Sequence, residues 1–563
     1  MKETPFAQLA LLGEELERTT SRLELARLIA DFLRGLSREE IAPAVRLTIG
    51  QVFPEWDGRA LNLSWAAVSG VMSDLTQASE EQRRAIAAEA VDGGEAVRLL
   101  LERVRKRPPQ GPPLTLLEVY QAFEQIAETS GRGSRARKGG LLRSLLERAT
   151  PVEAKLIAKN VLGEMRHGVS EGIMLEAIAR VAGVKASLAR RANMVCGDLG
   201  EVAEIALTSG EAGLEGIPLR LGRPLKPMLA QTAKDVAEAF AYHQGQIALE
   251  HKLDGARVQI HADGPRVRIF SRQLSDVTNS LPDVVARVRE TLRARSAILE
   301  GEVIAVDAAR RPLPFQHLMR RFRRVHDVER MIQEIAVELY LFDCLYRDGE
   351  SLIDAPYTQR WEALEQVAGT IPLVERRLPR SVEEGEAFAQ EALEAGHEGV
   401  MAKSLASPYR PGVRGKAWFK IKQALSLDLV IVAADWGYGR RHNWLSNYHL
   451  AARDGETGRF WEVGKTFKGL TDAEFEEMTR RLLALKRGER GGTVIVEPQV
   501  VVEVQFNEIQ QSPHYPSGLA LRFARITRIR DDKGPREADT IQTLRRLYER
   551  QFETKGVAAL ASE

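Results

Sequence analysis

The stretch at residues 250–261, EHKLDGARVQIH, combines closely spaced charges with the pattern of a β-hairpin. Apolar residues before it predict a strand, and residues 257–262 alternate between polar and apolar side chains. Asp263 and Gly264 separate that run from a second one at 267–270, which is typical of a hairpin turn. We therefore expect Lys252 at a strand end near a glycine, where a main chain can approach a ligand. On this stretch alone, a surface lysine at a turn explains the pattern equally well.

Composition sets the broad class. The chain has 563 residues, which predicts several domains, since one core rarely exceeds a few hundred residues. The net charge is only +2, so any argument for nucleic-acid binding must rest on local patches. Cys196 and Cys344 are the two cysteines; they indicate neither a disulfide framework nor a zinc site, and a cytoplasmic location is expected. The sequence has no apolar run long enough to cross a membrane and no secretory signal, so we expect no membrane association.

Changes in texture predict a multidomain protein. Residues 1–215 carry helical periodicity, with Ser21 as a predicted cap and Thr150, Pro151 and Glu153 as a predicted helix start that runs to about residue 162. Residues 216–228 are rich in proline and glycine and predict a linker. Short strands mixed with helices follow at 229–423, which predicts an α+β domain. More short strands at 424–563 predict a small β-barrel with a terminal helix at 538–552.

Polar residues interrupt the strands of the middle region. Glu300 and Glu302 lie two apart and should share one strand face, while Phe342 and Asp343 are expected at a strand end. Lysines at 416, 420 and 422, with Trp418, are predicted on one face of another strand. Like charges so close repel one another, so an anion such as a triphosphate would resolve the conflict; a solvated edge strand is the alternative. No P-loop and no dinucleotide-binding glycine motif occurs in the sequence.

Several ordered elements resemble the covalent nucleotidyltransferases, which include ATP-dependent DNA ligases, RNA ligases and capping enzymes. The first is KLDG at 252–255; the others are SRQ at 271–273, LEGE at 299–302, LFD at 341–343, EGVMAK at 398–403, WFKIK at 418–422 and the basic run at 521–533. A single element of this kind is weak evidence for the resemblance, but several elements in the same order are strong evidence. Glu300 stands where relatives often have aspartate, which keeps the charge.

The resemblance implies a site. Lys252 would attack the α-phosphate of ATP, with its pKa lowered by burial and by neighbouring lysines. Glu302 and Glu398 would hold Mg²⁺, and Phe342 would stack on the purine, although a core role is its alternative. The remaining nucleotide contacts would come from Glu250, Arg257, Arg272, Glu302, Arg414, Lys420 and Lys422. The run at 521–533, with Arg522, Arg525, Arg528 and Lys533, would belong to an OB-fold domain that closes on the triphosphate.

The helical region also resembles a known domain. Residues 156–174 and 223–230 are similar to the N-terminal DNA-binding domain and the following linker of archaeal and eukaryotic replicative DNA ligases. The resemblance implies that the basic loop at 131–138 contacts DNA phosphates through Arg132, Arg135, Arg137 and Lys138; a disordered charged loop is the alternative. The implied partner is nicked duplex DNA. A monomer is expected, and a sliding clamp is a further candidate partner, without an evident docking peptide.

Three functions therefore compete. An ATP-dependent DNA ligase, acting in replication, repair and recombination, fits the whole chain. An RNA ligase or capping-type nucleotidyltransferase shares the middle region but does not explain the helical domain. A non-catalytic DNA-binding scaffold is opposed by the intact lysines and carboxylates.

Overall fold

The computed structural model describes residues 3–105, 108–322, 328–422, 425–438 and 441–553. None of the helices in that part of the chain combines the length and the hydropathy that a bilayer-spanning segment needs.

Within its described residues, the N-terminal region contains helices and no strand, as predicted. Its helices are α1 Phe6–Glu17, α2 Arg22–Leu33, α3 Arg38–Ile49, α4 Trp65–Thr76, α5 Glu80–Glu89, α6 Gly93–Arg103, α7 Leu116–Glu128, α8 Ser134–Arg148, α9 Pro151–Leu162, α10 Glu171–Ala182, α11 Ala186–Cys196 and α12 Leu199–Glu215.

The predicted helix starts are confirmed. The Ser21 side chain accepts a hydrogen bond from the Glu24 backbone at the start of α2. Thr150 and Glu153 form a reciprocal capping box, with Pro151 in the first turn of α9. One hydrophobic core joins these helices, from Phe6 on α1 to residues of α12.

One expectation about this region is wrong. The basic segment at 131–138 is not a loop along its whole length, because α8 begins at Ser134 and includes Arg135, Arg137 and Lys138. The left-handed Gly133 directly precedes the helix, with φ of 77°.

The middle region contains two five-stranded sheets. The first has the order β1-β10-β9-β2-β8 and the second has the order β4-β3-β5-β6-β7. The strands are β1 Leu229–Thr232, β2 Ile247–His251, β3 Ala256–Asp263, β4 Arg266–Ser271, β5 Ser296–Val306, β6 Ala336–Arg347, β7 Glu350–Ser351, β8 Arg376–Arg377, β9 Gly399–Ser404 and β10 Arg414–Lys422. The helices are α13 Val236–Tyr242, α14 Pro282–Thr291, α15 Phe315–Phe322, α16 Val328–Glu334, α17 Tyr357–Val367 and α18 Val382–Glu394.

The stretch at residues 250–261 connects these two sheets. β3 and β4 form the predicted hairpin, and Asp263 pairs with Arg266 across its two-residue turn. β2 pairs with β9 in the other sheet, so residues 252–255 cross from one sheet to the next. This crossing places Lys252 where both sheets contribute side chains.

Two expectations about strand positions are corrected. Phe342 and Asp343 lie in the middle of β6, and a bulge leaves Phe342 without a partner on β5 because Gly301 pairs with Leu341 and Glu300 with Asp343. Lys416, Trp418, Lys420 and Lys422 of β10 do not share one face of the strand, contrary to the prediction. The Lys416 ammonium lies 4.7 Å from the ring centre of Tyr242, which packs on Phe419, and the pairing of β10 with β1 is irregular just after Gly415.

The C-terminal region is rich in strands. Its elements are β11 Leu425–Trp436, β12 Leu445–Arg453, β13 Phe460–Thr466, α19 Asp472–Ala484, β14 Lys486–Arg490, β15 Thr493–Val496, β16 Val501–Phe506, β17 Glu508–Gln511, β18 Leu519–Arg522, β19 Arg525–Ile529 and α20 Ile541–Glu553. Seven of the strands form one sheet, and β17 pairs with β18 separately. The closed barrel therefore stays a prediction. The predicted boundary at 423–424 lies outside the described residues.

Candidate active site

Main-chain contacts fix the crossing between the two sheets. The Lys252 backbone N–H donates to the Gly399 carbonyl at 2.8 Å, and the Glu398 N–H donates to the Lys252 carbonyl at 2.9 Å. A Cβ on Gly255 would lie 2.3 Å from the Val303 carbonyl oxygen, so only glycine fits here without a shift of β5. The sequence KLDG thus brings Lys252 and Glu398 together through the backbone.

The charged side chains of Lys252, Glu398 and Lys422 converge at this crossing. The Lys252 Nζ lies 2.5 Å from Glu398 Oε2, and the Lys422 Nζ lies 2.6 Å from the same oxygen. The side chains of Lys252 and Lys422 keep 23% and 22% of their surface exposed, so a ligand can reach them. Three of the residues predicted from separate motifs therefore form one cluster.

The protonation of Lys252 differs from the prediction. Burial alone would lower its pKa, but Glu398 and Glu302 outweigh burial and raise the pKa above its ordinary value. The lowered pKa values belong to Lys420 and Lys422, through burial and the surrounding cations. The expectation was wrong because it counted the neighbouring lysines and not the carboxylates that face Lys252.

The pKa values of Glu302 and Glu398 are shifted in opposite directions. Burial raises the pKa of Glu302 to about 7, even though Lys252 and Arg257 oppose this shift. Burial would also raise the pKa of Glu398, but Lys252 and Lys422 lower it. Glu398 is therefore ionised at neutral pH, whereas Glu302 is close to its midpoint.

A buried ion pair packs beside Phe342. Glu250 accepts hydrogen bonds from the Tyr357 hydroxyl and, at 2.7 Å, from the Lys403 ammonium. The Lys403 Nζ lies 4.6 Å from the ring centre of Phe342 and 4.5 Å from that of Trp418. Burial raises the pKa of Glu250 and lowers that of Lys403. Lys403 belongs to the motif at 398–403, but nothing in the sequence identified Glu250 as its partner.

The predicted arginines have three different environments. Arg257 is partly buried and pairs with the buried Glu300; it donates to the Met228 carbonyl at 2.6 Å and lies 5.3 Å from the ring centre of Phe342. Arg272 is exposed in the turn after β4. Arg414 is exposed at the start of β10, where it donates to the Ala230 carbonyl at 3.2 Å. Arg272 and Arg414 both help to lower the pKa of Lys420, which places their charges near that lysine.

The carboxylates fit a cation that needs few protein ligands. Within the described ranges, no group of three or more histidine, cysteine, aspartate or glutamate side chains is arranged to hold a metal ion. Glu302 and Glu398 both act electrostatically on Lys252. Two carboxylates that act on the same lysine suit Mg²⁺, which keeps several waters and binds through one or two protein carboxylates.

Three cations of the C-terminal run, Arg522, Arg530 and Lys533, form ion pairs. The Lys533 Nζ lies 2.5 Å from Asp428, and Arg530 contacts both oxygens of that carboxylate at 3.0 Å. Arg522 instead pairs with Glu508 and lies 4.8 Å from the ring centre of Phe315. Arg525 and Arg528 are exposed on β19.

The basic segment of the helical region divides into surface and interior residues. Arg132 and Arg135 are exposed, and Arg137 donates to the carbonyls of Ser130 and Arg132. Lys138 is buried and donates to the Leu61 carbonyl at 2.8 Å. The prediction that Lys138 contacts DNA phosphates is therefore wrong, because its position on α8 directs its side chain into the protein interior.

Comparisons with known proteins decide the family. Family models match in chain order: the DNA ligase N terminus at residues 5–179, the ATP dependent DNA ligase domain at 227–422 and the ATP dependent DNA ligase C terminal region at 441–533. "DNA ligase 1" of Korarchaeum cryptofilum is 48% identical over 97% of this chain and 98% of its own. The chain belongs to the ATP-dependent DNA ligases. "DNA ligase" of Thermococcus onnurineus is 44% identical over 98% of this chain and 99% of its own, and "Probable DNA ligase" of an Anaeromyxobacter species is 46% identical over 96% and 99%.

The architecture of this ligase also resembles a solved structure. The structure described as Pmar-Lig_PreS3 superposes with a TM-score of 0.55 at 18% identity, and the match covers 93% of this chain and 99% of that one. This likeness concerns the fold alone. The helical region, the central adenylation domain and the strand-rich C-terminal domain are thus the architecture expected from the sequence.

Proposed function

We propose that this ligase seals nicks in duplex DNA through a lysyl–AMP intermediate on Lys252, and that it serves DNA replication, repair and recombination. The observation that carries the proposal is the cluster of Lys252, Glu398 and Lys422 where the two sheets meet. The family supplies ATP as the nucleotide. The geometry of the cluster then supports a role for each side chain in three chemical steps.

The first step forms the covalent intermediate. The Lys252 Nζ attacks the α-phosphorus of ATP, an N–P bond forms, the bond to the pyrophosphate oxygen breaks, and the ammonium proton leaves. Since Lys252 is charged at rest, its proton must be released before attack. When ligands engage the carboxylates of Glu302 and Glu398, burial lowers the pKa of the amine, while Asp254 still raises it.

The next two steps transfer and release AMP. An oxygen of the 5′-phosphate at a nick attacks the phosphorus of lysyl–AMP, and the N–P bond breaks as Lys252 regains a proton. The 3′-hydroxyl then attacks the activated 5′-phosphate, loses its proton and displaces AMP. In both steps positioning and positive charge supply most of the catalysis. Lys420 and Lys422, with lowered pKa values, would be the cations of β10 that face these phosphates.

The remaining assignments rest on position. Glu302 and Glu398 would hold Mg²⁺, which would neutralise phosphate charge when bound. Phe342 would stack on the adenine, and Glu250 would also contact the adenine. Arg257, Arg272 and Arg414 would contact the ribose and the phosphates. Since Glu250 is held by Lys403 and Tyr357, its part in binding includes fixing that wall of the pocket. Lys533 would leave Asp428 for the triphosphate if the C-terminal domain closes.

DNA would be held mainly through its phosphates. Arg132, just before α8, and Arg135, in its first turn, are exposed cations, and contacts to phosphate suit an enzyme that must accept any sequence. We further propose that the ligase acts as a monomer and in the cytoplasm. A sliding clamp stays a candidate partner without an assigned docking segment.

A single-turnover assay tests this function. Pre-adenylated ligase, freed of ATP, is mixed with an equimolar nicked duplex and Mg²⁺, and the joined strand is measured. We expect one round of joining per adenylated enzyme. No joining is expected when the strands on both sides of the nick are RNA. Adenylation without joining of the DNA nick would refute the DNA ligase assignment while leaving the covalent step intact.

A further inference from the structure

The linker before β1 is bound along strand β3. The Gly222 N–H donates to His261 Nδ1 at 2.9 Å, and the Leu225 N–H donates to Gln259 Oε1 at 2.8 Å. Arg257 Nη1 donates to the Met228 carbonyl at 2.6 Å. Side chains at alternate positions of β3 therefore hold the linker main chain at three successive points.

Gln259 is the central contact of this arrangement. Its Oε1 accepts from the Leu225 N–H and from His261 Nε2, at 2.8 and 2.9 Å. Its Nε2 donates to the Leu225 carbonyl and to Glu300 Oε1, at 3.3 and 3.4 Å. The residue is 4% exposed, and all four hydrogen-bonding positions of its amide are used. Such a fully satisfied buried amide specifies one arrangement of its neighbours.

These contacts close a ring that includes Arg257. Glu300 accepts from Gln259 through Oε1 and from Arg257 through Oε2. Arg257 returns to the linker at Met228, whose own N–H donates to the Tyr409 hydroxyl at 2.9 Å. Loss of the Gln259 amide would therefore remove the central attachment of the linker and one of the donors that orient Glu300.

The other side of the linker is tied to the helical region. Lys226 lies 2.7 Å from Glu171 and 3.3 Å from Glu55. Arg223 pairs with Glu201 at 2.6 Å, and its guanidinium lies 4.3 Å from the ring centre of Trp56. One short segment thus contacts the helical region on one side. On its other side it contacts the hydrogen-bonded ring formed by Gln259, Glu300 and Arg257.

We propose that Gln259 is a positioning residue that clamps linker 222–228 and, through Glu300, orients Arg257, so that nucleotide affinity depends on how the helical region is held. The inference rests on the proposed contact between Arg257 and the nucleotide. Because coupling is reciprocal, bound nucleotide then also favours the linker arrangement seen here.

The test compares ATP dependence in full-length variants. Gln259→Leu keeps the volume and removes the four hydrogen bonds. We expect the KM for ATP in self-adenylation to rise about tenfold, with the rate at saturating ATP within about twofold of wild type, as for lost ground-state positioning. Asn160→Leu is the matched control, since Asn160 is a buried amide that donates to the Leu156 carbonyl within α9. Its KM should not change.

A second variant keeps the test decisive if Gln259→Leu fails to fold. Arg223→Ala/Lys226→Ala removes the ion pairs on the exposed side of the linker and should raise the same KM about threefold, as expected for the removal of partly exposed pairs. An unchanged KM in every folded variant, with only a lower melting temperature, would overturn the proposal. Failure of wild-type ligase to adenylate would instead contradict the proposed function, so the two failures are distinguishable.

Discussion

At the scale of residues, the site holds the proposed nucleophile, Lys252, in its charged form. Lys252 faces Glu398 at 2.5 Å and is influenced by Glu302, and together they keep its pKa raised despite burial. In the proposed mechanism, the lysine stays an ammonium until ligands bind the two carboxylates. This arrangement would protect the amine from other electrophiles and would couple its activation to the arrival of the nucleotide and cation.

The partly buried Glu302 gives a pH-dependent prediction. Burial raises its folded-state pKa to about 7 from an ordinary value near 4.5. The stability contributed by the protonated form is fully present below about 4.5 and is lost as pH rises through about 7. Glu302→Gln imitates the protonated form, so its melting temperature relative to wild type should increase between about pH 5 and pH 8. The expected gain is on the order of 1–3 kcal/mol, since one pKa unit is worth about 1.4 kcal/mol.

The measurement is thermal unfolding of both proteins with a metal chelator present, so that no cation occupies the carboxylates. A melting-temperature difference that stays constant from pH 5 to pH 8 would show that Glu302 has an ordinary pKa in the folded protein.

At the scale of elements, the crossing at residues 252–255 determines where Lys252 lies relative to Glu398. It joins β2 of one sheet to β3 of the other, and Gly255 lets β5 approach closely. Gly255→Ala would place a Cβ 2.3 Å from the Val303 carbonyl, which must displace the crossing. Since a shift of about 1 Å can cost about 100-fold in rate, we expect self-adenylation to fall by at least that factor.

Gly264→Ala is the matched control for Gly255→Ala. Gly264 lies in the turn after β3 with φ of 53° and has open space around its Cβ position. Its replacement should cost about 1 kcal/mol of stability through the left-handed backbone and leave adenylation intact. Equal loss of adenylation in both variants would mean that general strain, and not the crossing, controls the site.

Sequence patterns predicted what depends on near neighbours. The capping box of Thr150 and Glu153 and the β3–β4 turn are local features, and both were predicted correctly. The orientation of Lys138 toward the Leu61 carbonyl and the pairing of Lys403 with Glu250 depend on residues 77 and more than 100 positions away, respectively. The bulge at Phe342 and the turn of Lys416 toward Tyr242 depend on strand pairing. Such contacts leave no periodic signal in one sequence.

At the scale of the whole molecule, DNA binding should be concentrated on the exposed start of α8. Arg132→Ala/Arg135→Ala should weaken binding to nicked duplex evenly across sequences. The slope of log affinity against log salt should fall by about one for each phosphate that the variant no longer neutralises. Fluorescence anisotropy over a salt series measures both effects.

Lys138→Met is the control for this surface. Its ammonium is buried against the Leu61 carbonyl, so the change should lower the melting temperature and leave the salt slope unaltered. A reduced slope for Lys138→Met, with none for the arginine pair, would reverse the assignment of surface and interior cations.

The covalent attachment of AMP to Lys252 is the central claim. The most direct measurement incubates full-length ligase with Mg²⁺ and ATP labelled at the α-phosphate, after pyrophosphate treatment to remove any AMP already bound, and examines the denatured protein beside Lys252→Ala and Lys252→Arg. We expect label on the wild type alone, discharged by acid and by nicked DNA. Label on either variant, or none on the wild type, would contradict the claim.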